Sequence, residues 1–429
     1  MPNLRPKRPG GKSHADVISK NKMEEVGTLL QNGPHLIKRI LRVFSAREIH
    51  RVSGVCRTWQ KYAGLVLKER RRVLTMIVPR YYNHYGPPAP PANVDNPEMK
   101  RFLRDLDMDC GVAFMFEGMT HVPSLDRPAS IAIPPWTPSR RVNVEEIISC
   151  LTPSSVVIGA LSYEGLISTL ASYPEHRHIA NDCLSAFLVP KSLPEGTHMS
   201  HFSLSLTQAE KVVKRKLNKA TFAQVFQWPE DQPAKCIIMI TTDFVPTQVV
   251  RKLLRAIRVL HDGEVALAGG LGEVFSSAFS PENYRPSAYE IDDDTDESST
   301  MPVFGGLVFG GENVRAASLV IGEDDRTKES VRERLMELKA KVEAWGECRQ
   351  KFGFVFASCI RGWELFHAYD VEIAVFKELM PDIPLNGMCT EGEYGWDFPL
   401  PLAQPAKKSR RSNDAVLIRT NSFAIVGFV

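Results

Sequence analysis

The stretch Phe354-Val355-Phe356-Ala357-Ser358-Cys359-Ile360-Arg361-Gly362 begins as an apolar run and ends in a basic residue and a glycine. Aromatic and β-branched residues favour strands, and a short apolar run that ends near a glycine is typical of a buried strand leading into a turn. The apolar spacing then becomes helical at Val371–Met380. The sequence therefore predicts a strand, a turn and a helix in succession.

The same alternation extends over most of the chain. Strands are predicted at Val73–Val78, Cys110–Phe116, Val156–Ala160, Ala186–Val189, Cys236–Ile240, Val265–Ala268, Val303–Phe309, Ala316–Ile321, Phe352–Ala357 and Ala415–Ile418. Helices are predicted at Val144–Cys150, Gln208–Lys219, Thr247–His261, Thr327–Trp345 and Val371–Met380. Alternation of this kind favours an α/β or α+β fold.

The N-terminal part is different, because its apolar residues repeat only with helical spacing. They recur three and four positions apart over Leu36–Phe44, which predicts one amphipathic helix. Ser45 with Glu48 is a capping-box signature, so a second helix begins there and is expected to carry its apolar residues through Trp59 on one face. Two short helices bury too little apolar surface to be stable alone, so they need a partner or a docked neighbouring domain.

The run Leu36–Phe44, followed by Ile49 and by Val52-Ser53-Gly54-Val55-Cys56-Arg57-Thr58-Trp59, resembles the F-box. The usual Leu-Pro opening is displaced here by Asn32-Gly33-Pro34. The resemblance implies a module over residues 31–75 that binds the Skp1 adaptor of a cullin-based ubiquitin ligase. We expect the adaptor to be contacted by Leu36, Ile37, Ile40, Leu41, Phe44, Ile49, Val52, Val55, Cys56 and Trp59. The alternative is an ordinary helical hairpin, with Trp59 as an anchor against the next domain.

Several glycine-marked segments resemble the FIST sensory domain. They are Ser155–Gly165, Leu267-Ala268-Gly269-Gly270, Phe304–Gly311, Phe354–Gly362, Ile383-Pro384-Leu385 with Gly387, and Gly392-Glu393-Tyr394-Gly395. The resemblance implies an N-like part over residues 100–260 and a C-like part over 261–429. Together the patterns predict an α+β protein in which a small all-α module precedes a large mixed α/β domain.

In the FIST family the fold is taken to sense small ligands, so the resemblance implies a ligand or degron pocket. Its candidate residues are Ser358, Arg361, Gly362, Glu372, Gly387, Gly392 and Glu393. An arginine and a glutamate beside glycines could hold a zwitterion through its carboxylate and ammonium groups. The alternative is structural: the glycines serve turns, and Arg361 pairs with Glu393 or Glu372 to tie a strand to a helix.

An enzyme is not expected. The family places a cysteine before the Arg-Gly pair, where this chain has Ser358, and Cys359 lies one step along. Because neighbouring side chains of a strand face opposite sides, that thiol should point away from the pocket. The chain has no G-x-S-x-G, HExxH or Walker motif, and its histidines have no ligand spacing, so neither a cofactor nor a metal is expected.

The composition is that of a globular protein with a sizeable core: 43% of residues are hydrophobic and 24% are charged. Because 53 basic residues face 50 acidic ones, charge alone does not indicate nucleic acid as a partner. The eight cysteines are dispersed without a CxxC pair, which indicates buried free thiols in a reducing compartment. We expect no signal peptide and no membrane span, and we expect the protein in cytoplasm and nucleus.

Four segments lack a packed pattern: a flexible basic tail at 1–30, a Pro-rich linker or loop at 76–99, an acidic insertion near 278–300 and a basic loop at 401–414. The runs Arg5-Pro6-Lys7-Arg8 and Lys407-Lys408-Ser409-Arg410-Arg411 are either nuclear import signals or solvated segments. The basic helical tract Lys211–Lys219 is either a solvated face or a site for an acidic protein partner.

Taken together, these features predict a substrate-recognition subunit of an SCF-type ubiquitin ligase. The helical module would bind Skp1 on its cullin scaffold, and the FIST-like domain would bind the proteins to be ubiquitylated. The alternative is a sensor of an amino-acid-like ligand without a ligase role.

Overall fold

The computed structural model describes residues 34–79, 97–118, 147, 149–152, 155–162, 165–169, 178–179, 183–214, 217–243, 245–277, 302–368, 371–399, 416–417 and 419–429. The predicted N-terminal tail, the acidic insertion and the basic loop lie outside these residues. The chain divides into two compact units. The smaller unit is Met1–Arg70 with Arg104–Asp109, and the larger unit is Arg71–Leu103 with Cys110–Val429.

The smaller unit contains three short helices. They are α1 (Pro34–Leu41), α2 (Ala46–Ser53) and α3 (Arg57–Glu69). A small core forms where α1 and α2 each pack against α3. Its buried members are Ile37, Leu41, Ile49, Ala63 and Val66.

The predicted second helix is two helices. The capping box at Ser45 is confirmed, because the Ser45 side chain accepts from the Glu48 N–H and the Glu48 carboxylate accepts from the Ser45 N–H. The helix that it starts ends at Ser53, where Gly54 is the C-cap, and Cys56 is the N-cap of α3. The expectation of one helix through Trp59 was therefore wrong. Glycine at a helix end was the sequence signal for this break.

The larger unit contains three successive segments, called repeats here, and each supplies the first four strands of one sheet. The first repeat comprises β1 (Leu74–Pro79), α4 (Pro97–Arg104), β2 (Cys110–Gly118), β3 (Val156–Ser162), β4 (Leu166–Ser168), β5 (His178–Ile179) and β6 (Cys183–Pro190). The second comprises β7 (His198–Leu204), α5 (Leu206–Lys214), α6 (Lys219–Val225), β8 (Ala234–Thr241), α7 (Thr247–Leu260), β9 (Ala266–Leu271), β10 (Glu273–Ser276) and β11 (Phe304–Gly310). The third comprises β12 (Val314–Ile321), α8 (Lys328–Glu343), β13 (Gln350–Ser358), α9 (Trp363–Phe366), α10 (Val371–Leu379), β14 (Leu385–Thr390), β15 (Glu393–Trp396), β16 (Val416–Leu417) and β17 (Asn421–Phe428).

The strands form three mixed sheets. The first has the order β1-β6-β2-β3-β10, the second β7-β11-β8-β9-β15-β16 and the third β12-β17-β13-β14-β4-β5. In each sheet one parallel pair, β2–β3, β8–β9 or β13–β14, is flanked by antiparallel pairs. The sheets are built alike, so the three repeats are topologically equivalent.

Each repeat also contributes a short strand to the sheet of another repeat. Strand β4 of the first repeat pairs with β14 in the third sheet, and β10 of the second pairs with β3 in the first. Strand β15 of the third repeat pairs with β9 in the second sheet. This cyclic exchange ties the repeats together, because no sheet is completed by its own repeat alone.

One apolar core joins the inner faces of the three sheets, and alternation along the strands decides which side chains enter it. In β8, Ile238 and Ile240 belong to this central core, whereas Ile237 and Met239 face a second core under α5, α6 and α7. The phenylalanines of β13 also point inward, and Phe354 approaches Phe114 of the first sheet with ring centroids 6.1 Å apart. A third core lies under α8 and α10.

Most predicted elements are present, and the α+β class fits the mixed sheets and helices. The predicted helix Gln208–Lys219 is an exception, because α5 ends at Lys214 and α6 begins at Lys219 after the N-cap Asn218. Of the predicted linker at 76–99, the first residues belong to β1, which runs to Pro79, and the last belong to α4, which begins at Pro97; residues 80–96 lie outside the described part of the chain. The expected boundary between the N-like and C-like parts, at residue 260, falls inside the crossover from β8 through α7 to β9 in the second sheet.

In the part of the chain that the structure describes, no helix combines the length and the apolar character needed to cross a bilayer.

Candidate functional site

The smaller unit exposes large apolar side chains beside its core. Val43, in the turn after α1, is 79% exposed, and Val55, between α2 and α3, is 68% exposed. Leu65 on α3 is 40% exposed, and Cys56 is also exposed. Apolar side chains at this exposure mark a surface that gains free energy when it is covered.

The ten residues expected to contact an adaptor fall into three groups. Ile37, Leu41 and Ile49 are buried in the core of the smaller unit itself. Five are half-buried: Leu36, Ile40, Phe44, Val52 and Trp59. Val55 and Cys56 are exposed. The first group therefore stabilises the unit, and only the second and third present surface to a partner.

Sequence reasoning missed Val43 and Leu65 as surface residues. Val43 lies outside the apolar face that Ile37, Ile40 and Phe44 define by helical spacing. An apolar residue outside that face was the available signal, and Leu65, two positions from the buried Ala63, could have been found in the same way.

Two polar contacts hold the helices of the smaller unit in place. The Arg70 guanidinium donates to the carbonyls of Phe44, Asp107 and Arg42 at 2.8, 2.7 and 2.7 Å. These contacts satisfy carbonyls near the end of α1 that have no helical donor. The Glu69 carboxylate is bound by Lys38 and by Arg42, which lies 3.0 Å away. These contacts hold the residues on either side of Val43 in position.

In the larger unit, Arg361 is the centre of a buried polar cluster. Its side chain is 2% exposed, and its Nε lies 2.9 Å from the carboxylate of Glu372, itself 4% exposed, on α10. The terminal nitrogens donate to the carbonyls of Gly322, Asp325 and Arg419 at 2.6, 2.7 and 3.3 Å. The guanidinium therefore ties two backbone segments, the 322–325 loop and the segment at Arg419, and one helix to the end of β13.

Glu393 lies nearby but does not pair with Arg361 directly. Its carboxylate accepts from the Thr390 hydroxyl at 2.9 Å and from the Thr420 N–H and hydroxyl at 3.1 and 3.0 Å. Burial raises the pKa of the Glu393 carboxyl to about 7, although these hydrogen bonds and the charge of Arg361 act in the opposite direction. Glu393 is thus a buried group that titrates near neutral pH.

The glycine of the predicted pocket on β14 serves close approach between strands. A Cβ at Gly387 would lie 1.6 Å from the Val355 carbonyl oxygen of the neighbouring strand. The equivalent glycine of the second repeat is Gly269, where a Cβ would lie 1.8 Å from the Met239 carbonyl oxygen. Only glycine fits at either position, for reasons of strand packing.

Strand β13 ends at Ser358, which is buried and whose N–H donates to the Asn421 side chain at 3.1 Å. The next residues, Cys359–Arg361, form a 3-10 turn. Strand alternation therefore does not extend to Cys359, and the direction of its thiol stays a prediction, because this side chain lies outside the described part of the chain. The other predicted pocket residues, Gly362 and Gly392, follow this turn and precede β15 respectively.

The structure brings together Ser358, Arg361, Glu372 and Glu393, and it gives their polar groups partners within the protein. That arrangement agrees with the structural alternative, with Glu372 rather than Glu393 as the partner of Arg361. Ligand binding at this cluster stays a prediction. Across the described ranges, the His, Cys, Asp and Glu side chains form no group of three able to hold a metal ion.

Sequence comparison relates the chain to one kind of curated protein. No family model matches it. It is 29% identical over 146 residues to F-box only protein 22 of Homo sapiens and 28% identical over 149 residues to F-box only protein 22 of Pongo abelii. Each match covers 34% of this chain and 32% of the relative, so the matched chain spans about a third of the length of these relatives. The matches indicate a relationship to F-box only protein 22.

Comparison of folds finds the crystal structure of cyanuric acid hydrolase from A. caulinodans. The alignment covers 83% of this chain and 98% of the hydrolase, with a TM-score of 0.38 and 7% sequence identity. Similarity at this level carries no conclusion about the chain.

Proposed function

We propose that the chain is the substrate-receptor subunit of an SCF-type ubiquitin ligase. Its smaller unit binds Skp1, which links it to the cullin scaffold, and its larger unit binds the proteins to be ubiquitylated. The observation that carries the proposal is the sequence similarity to F-box only protein 22. Three features of the structure and sequence support it further.

The first is the small size of the core. Five buried apolar residues hold three short helices together, which is little for a unit of this kind. A partner that covered Val43 and Val55 would bury most of two apolar side chains, worth roughly 1–2 kcal/mol each. The unit is therefore expected to be more stable when bound.

The second is charge. The described residues of the smaller unit, Pro34–Arg70 and Arg104–Asp109, contain ten lysines and arginines and five acidic residues, although the whole chain is nearly balanced. An adaptor surface that fits this unit should combine an apolar centre with acidic residues at its rim.

The third is the polar cluster of the larger unit. The polar groups of Arg361 and Glu393 contact other groups of the protein, and this supports a structural role for them rather than a catalytic one. A receptor needs no catalytic group of its own, because it acts by holding the target near the transfer chemistry of its partners.

The proposal is tested by measuring the affinity of the purified chain for Skp1 by calorimetry. Val43→Asp with Val55→Asp should weaken binding by about tenfold or more, since each tenfold corresponds to about 1.4 kcal/mol. Met336→Asp is the matched control, because Met336 is 54% exposed on α8 of the larger unit. Leu41 is unsuited to the test, since its side chain is fully buried and a charge there would unfold the smaller unit.

Wild-type chain that does not bind Skp1 at micromolar concentration would contradict the proposal. Equal affinities for the double variant and the Met336→Asp control would contradict the assigned surface.

A further inference from the structure

The helical layer over the second sheet has an unbalanced charge. Helices α5, α6 and α7 pack on that sheet through the buried side chains of their apolar faces, so their other faces point to solvent. These helices carry seven basic residues, Lys211, Lys214, Lys219, Arg251, Lys252, Arg255 and Arg258. They carry one acidic residue, Glu210, which pairs with Lys214. Helix α7 has four of the basic residues and no acidic residue in its fourteen positions.

The third repeat provides an internal comparison. Helix α8 covers the third sheet and has five basic and four acidic residues. Its charges are largely paired, for example in Arg334–Asp397 at 2.7 Å and Arg332–Glu378 at 2.6 Å. Helix α8 stands where α5 and α6 stand in the second repeat, and α10, which stands where α7 does, has one basic and two acidic residues. Packing on a sheet therefore does not require the excess of positive charge on α5, α6 and α7.

Most basic side chains of this helical layer are exposed. The six exposed ones are Lys211, Lys214, Lys219, Arg251, Lys252 and Arg255. Helix α5 packs against α7, so these two helices are neighbours in the layer. On α7, Lys252, Arg255 and Val259 follow each other at spacings of three and four, so they share one face. Val259 is 69% exposed, which places an apolar side chain within the basic surface.

We propose that this surface, α5–α7 with Val259, is the docking site for an acidic segment of a target protein that carries an apolar side chain to cover Val259. The inference rests on the proposed function, because it names the class of target that the larger unit selects. Acidic side chains would pair with the exposed lysines and arginines, and the apolar side chain would remove Val259 from water. An exposed valine among the charges favours a peptide over a phosphate backbone, which offers no aliphatic group to cover it.

The experiment measures binding of the purified full-length chain to a short fluorescent peptide that repeats Glu-Asp-Leu, by anisotropy at physiological salt. We expect Lys252→Glu with Arg255→Glu to weaken binding by roughly tenfold or more, because each change replaces an attraction by a repulsion. The matched control is Lys328→Glu with Lys339→Glu on α8, which makes the same change in net charge on a helix that covers the third sheet. This control should bind the peptide within about twofold of wild type.

A second comparison isolates Val259. A Glu-Asp-Ser peptide should bind several-fold more weakly than the Glu-Asp-Leu peptide, and Val259→Ser should abolish this difference. Equal loss of binding in the α7 and α8 variants would overturn the proposal, because it would show attraction by net charge alone. A single-stranded DNA oligonucleotide that bound more tightly than the peptide, with the same dependence on Lys252 and Arg255, would also overturn it.

The test is independent of Skp1, so its failure can be distinguished from failure of the proposed function. Loss of Skp1 binding with intact peptide binding would contradict the ligase role and leave the docking surface. Intact Skp1 binding with no binding of the peptide would contradict only the docking surface.

Discussion

Replacement of Arg361 by methionine should strongly destabilise the larger unit. Methionine preserves much of the side-chain volume, but it removes the guanidinium that pairs with the Glu372 carboxylate, which is 4% exposed. It also removes the donors to the carbonyls of Gly322 and Asp325. Removal of one partner from a buried ion pair costs about 3–5 kcal/mol, and each orphaned buried carbonyl adds to this cost.

Urea denaturation followed by far-UV circular dichroism measures this effect. With a denaturant slope of roughly 3 kcal/mol per M, the expected loss lowers the midpoint by at least about 1 M. The matched control is Arg332→Met, which removes the exposed pair with Glu378 and should leave the midpoint unchanged. Glu372→Leu added to Arg361→Met should recover part of the loss, because the unpaired buried charge is then gone.

A loss below about 1 kcal/mol for Arg361→Met would refute this reasoning. So would equal losses for Arg361→Met and the Arg332→Met control. Either result would mean that the guanidinium is not a structural tie and is available to a ligand.

Two further predictions concern buried positions of the larger unit. Burial raises the pKa of Glu393 from its ordinary value of 4.5 to about 7 in the folded state. Between these pH values the folded state binds more protons than the unfolded state. The contribution of Glu393 to stability therefore falls as pH rises from 4.5 to 7. Glu393→Gln should remove up to about 3 kcal/mol of this pH dependence, measured as the difference between wild-type and variant free energies of unfolding across that range; identical slopes would contradict the assignment. Gly387→Ala should cost at least about 2 kcal/mol in urea denaturation, because its Cβ would overlap the Val355 carbonyl oxygen, whereas Gly64→Ala on α3 meets nothing within 4 Å and should be neutral or stabilising. Equal effects of the two substitutions would show that β13 and β14 can separate.

Most long elements of the larger unit could be predicted from sequence because each carries its own periodicity, although β7, β14 and β17 were not predicted. Strand β13 has an apolar run of β-formers, and α7 has apolar residues at helical spacing. The exchanged strands β4, β10 and β15 were missed because they contain only three or four residues. Their stability comes from pairing with distant parts of the chain, as in Met388 with Leu166, and no local pattern records that pairing.

The candidate sites were predictable to a similar extent. Sequence reasoning identified Arg361 and two possible acidic partners, but the choice of Glu372 depends on where α10 packs, and the 3-10 turn at Cys359 has no periodic signature. In the smaller unit, the apolar face of α1 was predictable. Which apolar side chains are buried, such as Leu41, and which are exposed, such as Val43 in the turn after α1, depends on the position of α3.

The most direct test of the central claim is light scattering on a size-exclusion column with the full-length chain and Skp1 at micromolar concentration. The account predicts a single species whose mass equals the 48.0 kDa of the chain plus one Skp1. Separate elution of the two proteins at their individual masses would contradict it.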